Sequence, residues 1–272
     1  MAVRVAIVLA CLGACAGSAA AASGEAPTRY YVALGDSLAA GTQPGKLFTP
    51  DGYANQLVQL ERRKIRGLRL VKLACPGETS TAFRTGGRCP YPKKAQLAEA
   101  TAFLRAHRGR IAFVTLDIGA NDYLRCRTAQ LGCAAGAFNG IRENLPPILR
   151  ALRRAAGPRV RIVGMEYYAP LVTRWLDGAA GQAEAAAHVG FIAAGNELLR
   201  RLYRGNGARV ARVESAFATR NFTARETLPD GRSVPRNVAR VCRWTWMCAR
   251  GDIHPNRAGY GAIARAFAAA LR

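Results

Sequence analysis

The chain has 272 residues, with 40 Lys and Arg against 17 Asp and Glu, a formal charge of +23 and half of its residues hydrophobic. That length suits one generous domain, a mean hydropathy of −0.02 suits a soluble globular protein, and no segment after the N-terminus reaches the roughly 18 uninterrupted apolar residues that a membrane span needs. Only five of the basic residues are lysine (Lys46, Lys64, Lys72, Lys93 and Lys94), and the arginines are spread over the chain rather than gathered in one stripe with aromatics. The charge therefore reads first as composition and second as attraction to an anionic lipid or cell-wall surface, with no nucleic acid as partner.

In chain order, Met1-Ala2-Val3-Arg4 is a positive start, and Val5 to Ala14 is an apolar run too short to span a bilayer. Ser18-Ala19-Ala20-Ala21-Ala22 offers an Ala-x-Ala cleavage site, so residues 1–22 are expected to be a signal peptide and residues 23–272 one domain. A second reading stands beside it: Leu12-Gly13-Ala14-Cys15 has the form of a lipobox, which would leave the chain anchored through Cys15. Cleavage after Ala22 removes one charge, Arg4, and leaves +22.

Strands are expected at Arg29–Leu34, Leu68–Leu73, Ile111–Ile118, Val160–Met165 and Ala208–Val213. Helical patterns fall between and after them: Gly52–Lys64, Lys94–His107, Ile141–Ala156, Gln182–Tyr203 and Ala258–Leu271. This alternation predicts a parallel sheet covered by helices on both faces. Pro146-Pro147 is expected to delay or kink the third helix. Residues Thr219–Arg250 lack clear periodicity and read as one long irregular loop, either a wall of the substrate site or a clasp around Trp244 and Trp246.

Apart from Cys11 and Cys15, six cysteines remain, and six allow 15 connectivities. They fall into three close sequential pairs, so Cys75–Cys89, Cys126–Cys133 and Cys242–Cys248 are the expected bridges. No Cys-x-x-Cys or His-x-x-x-His spacing exists to support zinc, and no metal site is expected.

The first strand stops at Gly35-Asp36-Ser37-Leu38, which places a serine at the carboxyl edge of a sheet, where open α/β folds do their chemistry. Ala74-Cys75-Pro76-Gly77-Glu78-Thr79 follows the second strand and Gly119-Ala120-Asn121-Asp122 the third. Asp252-Ile253-His254-Pro255-Asn256 precedes the last helix. These four blocks, in this order from about Tyr31 to Tyr260, resemble the GDSL (SGNH) hydrolase family. The resemblance implies a three-layer α/β/α sandwich with a five-stranded, flavodoxin-like parallel sheet. It also implies Ser37 as nucleophile and His254 as base. The oxyanion donors would be the Ser37 and Gly77 N–H groups and the Asn121 amide, with no metal or cofactor.

The residues agree with those roles on their own chemistry. A serine hydroxyl needs a base to take its proton, and histidine titrates in the right range. Of three histidines, His107 ends a helix and His188 sits in an Ala-rich helix, while His254 alone stands in a turn beside polar residues. The family commonly has aspartate three residues before this histidine. Here position 251 is Gly251, and Asp252 stands only two before. Either Asp252 reaches the imidazole in a tight turn or a backbone carbonyl serves instead. Asp36 and Asp122 read as structural, bonding nearby backbone N–H groups. No Gly-x-Ser-x-Gly elbow or phosphate-binding glycine loop is present.

The expected activity is hydrolysis of carboxylic esters, lipid acyl esters first, by an exported monomer. A carbohydrate or cell-wall O-acetyl esterase is the enzymatic alternative, and a non-catalytic basic surface-binding protein on the same fold is the alternative of another class.

Overall fold

A computed structural model describes residues 26–124, 126 and 131–272. The expected signal peptide, with Cys11 and Cys15, lies outside them. Among the described residues no helix is long and apolar enough to cross a membrane.

Five strands form one parallel sheet: β1 (Arg29–Gly35), β2 (Leu68–Lys72), β3 (Ile111–Asp117), β4 (Arg161–Met165) and β5 (Arg209–Ala211), in the spatial order β2-β1-β3-β4-β5. β1 and β3 are central and almost wholly buried, which is why they read as unbroken apolar runs rather than alternating ones. The chain reverses its winding at β1, and the register sets Gly35 beside Asp117. Ligands of such sheets bind outside the carboxyl ends of the strands at this reversal.

The first four helices are α1 (Ser37–Ala40), α2 (Tyr53–Arg62), α3 (Ser80–Thr85) and α4 (Gln96–Ala106). After β3 come α5 (Ala120–Tyr123) and α6 (Leu131–Ala156), and after β4 a 3-10 segment (Pro170–Asp177) that runs into α7 (Gly178–Gly205). Beyond β5 lie α8 (Val213–Ala216), an antiparallel pair β6 (Arg225–Thr227) and β7 (Ser233–Pro235), then α9 (Arg236–Trp244), α10 (Met247–Arg250) and α11 (Arg257–Ala270). α2 packs against α11 on one face, and α4, α6 and α7 follow one another across the other. The architecture is the expected three-layer α/β/α sandwich.

Two expectations change. α6 does not start late at the proline pair: it runs from Leu131 through both prolines to Ala156, which leaves the kink as the form the expectation takes. An interior proline removes its own N–H donor and crowds the preceding turn, at a cost of about 3 kcal/mol that packing of the helix face can offset. Here Ile141, Leu145, Ile148, Leu149 and Leu152 make an uninterrupted buried stripe across the proline turn. The Thr219–Arg250 stretch is not an irregular loop, since it holds β6, β7, α9 and α10. α9 escaped notice because its apolar face is only Val238, Ala239 and Val241, set among arginines in a nine-residue helix.

All three expected bridges are formed, with Cα–Cα separations of 6.0, 5.6 and 5.0 Å.

Candidate active site

Ser37 is held by the turn that ends β1. Gly35 has φ +135°, and a Cβ there would stand 2.2 Å from the Asp117 carbonyl oxygen, so only glycine lets β1 close on β3 at this point. Asp36 caps α1 by accepting from the Leu38 N–H at 2.9 Å, as expected for a structural aspartate. Beneath the turn lies a second, fully buried carboxyl that the sequence reading missed. Asp117 accepts from the Asp36 N–H (3.2 Å), the Ala39 N–H (3.1 Å) and the Tyr53 hydroxyl (2.5 Å). Burial and the neighbouring Asp36 charge push the Asp117 carboxyl well above the usual range, and it hydrogen-bonds Asp36. Asp36 is itself raised by burial and also accepts from the Tyr167 hydroxyl at 3.2 Å. Two carboxyls this close share one proton, so the pair carries one negative charge. The one signal in the sequence was a charged residue ending the apolar run Ile111–Leu116.

His254 arrives from the other side of the chain. Its Nδ1 lies 2.7 Å from Asp252 Oδ1, and the same oxygen accepts from the His254 backbone N–H at 2.8 Å. The left-handed Gly251 (φ +65°) ends α10 and opens this tight turn. The turn is pinned by a bridge between Thr245 and Pro255, by the Trp246 N–H on the His254 carbonyl (3.0 Å) and by the Tyr168 hydroxyl on the Ile253 carbonyl. Asp252, at its unusual spacing, therefore meets the imidazole directly.

On the third side, Asn121 donates one amide hydrogen to the Glu78 carbonyl at 2.9 Å, which fixes the side chain and leaves its second hydrogen for another acceptor. Gly77 has φ +77°, and a Cβ there would meet the Arg88 guanidinium at 2.5 Å. Asp122 accepts from the Ser80 N–H at 2.8 Å and from the Ser80 hydroxyl at 2.5 Å, so it ties the Gly77 loop to the Asn121 helix. Gln96, wholly buried and without a signal in the sequence, joins the two loops. It accepts from the Gly35 N–H (2.7 Å), and donates to the Gly35 carbonyl (3.0 Å) and to Glu78 Oε2 (3.1 Å). Burial pushes the Glu78 carboxyl up to about 7 against the opposing pull of Gln96 and Arg88.

Ser37, Asn121 and His254 line one cavity with about 430 Å³ of empty space, its open mouth included. Apart from them and Asp36 its walls are apolar or aromatic, among them Leu38, Leu124, Tyr168, Pro170, Ile192 and Ile253. Gly77 and Asp252 are not among the residues that line it, and Asp252 reaches it through His254. Neither Trp244 nor Trp246 lines it: Trp244 packs edge-on against Phe217, and Trp246 donates to Gln43 at 2.7 Å. Of the two readings of that region, the clasp matches these contacts. The other histidines lie elsewhere. His107 stacks on Phe103, and His188 is buried in α7, where desolvation pushes it down to about 4.

This arrangement can take a proton from a serine, hold it on an imidazole backed by a carboxylate, and offer amide donors to a developing negative charge. Known proteins with the same architecture are far apart in sequence. The extracellular lipase from Streptomyces rimosus superposes with a TM-score of 0.54 at 18% identity, over 89% of this chain and all of that one. Axe2, an acetylxylan esterase from Geobacillus stearothermophilus, gives 0.52 at 17%, over 91% and 95%. TesA gives 0.52 at 16%, over 90% and 98%. These likenesses show the fold. No curated protein matches the chain in sequence. Residues 33–262, from β1 to the middle of the last helix, match the GDSL-like Lipase/Acylhydrolase family, and the chain belongs to that family.

Proposed function

We propose that this protein is an exported serine hydrolase of carboxylic esters, with acyl esters of lipids as its substrate class, acting as a monomer through an acyl-enzyme on Ser37. One observation carries the reading. Ser37, Asn121 and the Asp252-backed His254 converge on a single cavity whose remaining walls are largely apolar. An acyl chain fits such walls better than a sugar, which would leave its hydroxyls unpaired.

The Nδ1–H of His254 donates to Asp252, so Nε2 is left as the free lone pair. Nε2 takes the Ser37 proton as Oγ bonds to the ester carbonyl carbon, and the carbonyl oxygen becomes an oxyanion. The free hydrogen of the Asn121 amide and the backbone N–H groups of Ser37 and Gly77 are the donors toward that charge. The imidazolium, stabilised by Asp252, returns its proton to the departing alcohol oxygen as the C–O bond breaks. Water, deprotonated by the same Nε2, then bonds to the acyl carbon, and as the C–Oγ bond breaks the imidazolium returns the proton to Ser37 Oγ and the carboxylic acid leaves. Export is supported by the N-terminal sequence and by three bridges of the kind that persist in oxidising compartments.

The test is Ser37→Ala. Ester hydrolysis is expected to fall by at least about three orders of magnitude, while the circular dichroism spectrum stays unchanged. A fluorophosphonate probe should label the wild type at Ser37 and leave the variant unlabelled. Hydrolysis within about tenfold of wild type, or labelling at another residue, overturns the serine mechanism.

A further inference from the structure

Among the described residues the exposed large apolar side chains are Leu47, Phe48 and Leu171, with 62%, 58% and 36% of their surface in water. Single exposed apolar residues are ordinary on protein surfaces, but two of these stand side by side in the chain. Leu47 and Phe48 are adjacent, in the loop that leaves the nucleophile helix α1. Leu171 follows Pro170, which lines the Ser37 cavity.

The loop does not have the freedom to fold its apolar tip inward. Gln43 and Lys46 exchange backbone hydrogen bonds at 2.8 and 2.9 Å around Gly45, and the Thr42 hydroxyl donates to the Leu47 carbonyl at 2.7 Å. The Thr49 hydroxyl closes the base of the loop on the Gly41 carbonyl at 2.6 Å, and Lys72 Nζ donates to the carbonyls of Ala40 and Thr49. Gln43 also fastens the loop to the histidine turn. Its amide donates to the Pro255 carbonyl at 2.8 Å and its oxygen accepts from Trp246. Two large apolar side chains are thus held in water by a backbone pinned at both ends, next to the segments that carry Ser37 and His254.

The charge around them is mainly positive, with Asp51 the exception. Lys46 precedes Leu47 and has no carboxylate partner among the described residues, and Arg250 lies over the Trp246 ring with none either. Arg257 is 84% exposed and only 3.9 Å from its one carboxylate, Asp51. We propose that the Gln43–Thr49 loop is an interfacial anchor. It seats the protein on an anionic lipid surface by inserting Leu47 and Phe48 among the acyl chains while Lys46, Arg250 and Arg257 meet the headgroup phosphates. A second copy of the chain is a poor occupant, because each copy brings the same positive charge to the contact. A cell-wall polymer offers no apolar phase for the two side chains. Because the loop leaves the nucleophile helix and is fastened to the histidine turn, its insertion would bring the membrane against the segments that carry Ser37 and His254. The proposal does not depend on the chemistry of Ser37.

Co-sedimentation of the purified protein with vesicles tests it, using phosphatidylcholine alone and an equal mixture of phosphatidylcholine and phosphatidylglycerol. Wild type and Ser37→Ala should bind the mixed vesicles alike and the neutral ones more weakly. Leu47→Ser/Phe48→Ser should lower partitioning into mixed vesicles about tenfold or more. Turnover of a soluble short-chain ester by that double variant should stay within about twofold of wild type, which reports that its site is folded. The proposal is overturned if wild type leaves anionic vesicles unbound, or binds insoluble cell wall but not vesicles. It is equally overturned if the double variant binds as wild type does, since binding then needs charge without the anchor.

Discussion

Asp252 stands two residues before His254, and the carboxylate still reaches Nδ1 because the left-handed Gly251 tightens the turn and the His254 N–H donates to the same oxygen. If that carboxylate holds the tautomer, Asp252→Asn should lower kcat by about three to four orders of magnitude with little change in KM. Steady-state kinetics on a soluble ester decide it, and a loss under about tenfold would return the role to a backbone carbonyl. Asp117 invites the opposite pattern. Because burial and Asp36 keep it protonated, Asp117→Asn mimics the form already present and should cost no more than about 1 kcal/mol in urea unfolding at pH 7. Asp117→Ala strands the Ala39 N–H and takes the short bond from the Tyr53 hydroxyl, while the Asp36 N–H keeps the backbone carbonyl of position 117 at 3.1 Å, and should cost about 2 kcal/mol or more. At this scale the sequence exposed residues with chemistry in a turn and hid those whose work is support. Ser37, Asn121 and His254 end or begin elements, where punctuation is visible. Gln96 and Tyr53 also begin helices, α4 and α2, but with no side-chain cap or reactive group to mark them, and only the fold brings them under the nucleophile.

The elements followed the same logic. β1 and β3 were legible to within a residue because buried parallel strands leave long apolar runs. α9 was not, because its stability comes from packing three small apolar side chains and from its neighbours rather than from its own pattern. One neighbour is α10, joined to α9 by Cys242–Cys248, and between the two helices Thr245 pairs with Pro255 and the Trp246 N–H bonds the His254 carbonyl. That bridge closes a loop with a sequence separation of only 6, so by chain entropy it contributes about 2 kcal/mol. Its larger effect should be on geometry. Cys242→Ser/Cys248→Ser should reduce kcat more than Cys126→Ser/Cys133→Ser does, although the second pair closes the longer loop. Equal losses of stability with no difference in kcat would detach the clasp from the histidine turn.

For the molecule as a whole, pH acts through two opposed terms. A formal charge of +23 makes the compact state repel itself, and titration of surface carboxylates between pH 4 and 7 relieves that repulsion, so this term raises stability with pH. Glu78 works against it. Its carboxyl moves from the ordinary 4.5 to about 7 on folding, chiefly by burial, so the folded state holds a proton that the unfolded state has released. The contribution of Glu78 then falls as pH rises through this window, by at most about 3 kcal/mol between pH 4.5 and pH 8. Glu78→Gln keeps the shape and the contact with Gln96 while removing the proton. The variant's stability relative to wild type should therefore increase from pH 4.5 to pH 8, by at most about 3 kcal/mol, measured by urea unfolding at both. Salt separates the two terms, because repulsion among exposed charges is screened beyond a Debye length of about 8 Å at physiological ionic strength and a buried carboxyl is not. The difference between variant and wild type should persist in high salt. A difference that stays constant with pH would mean that Glu78 ionises in the folded protein as it does in the unfolded chain.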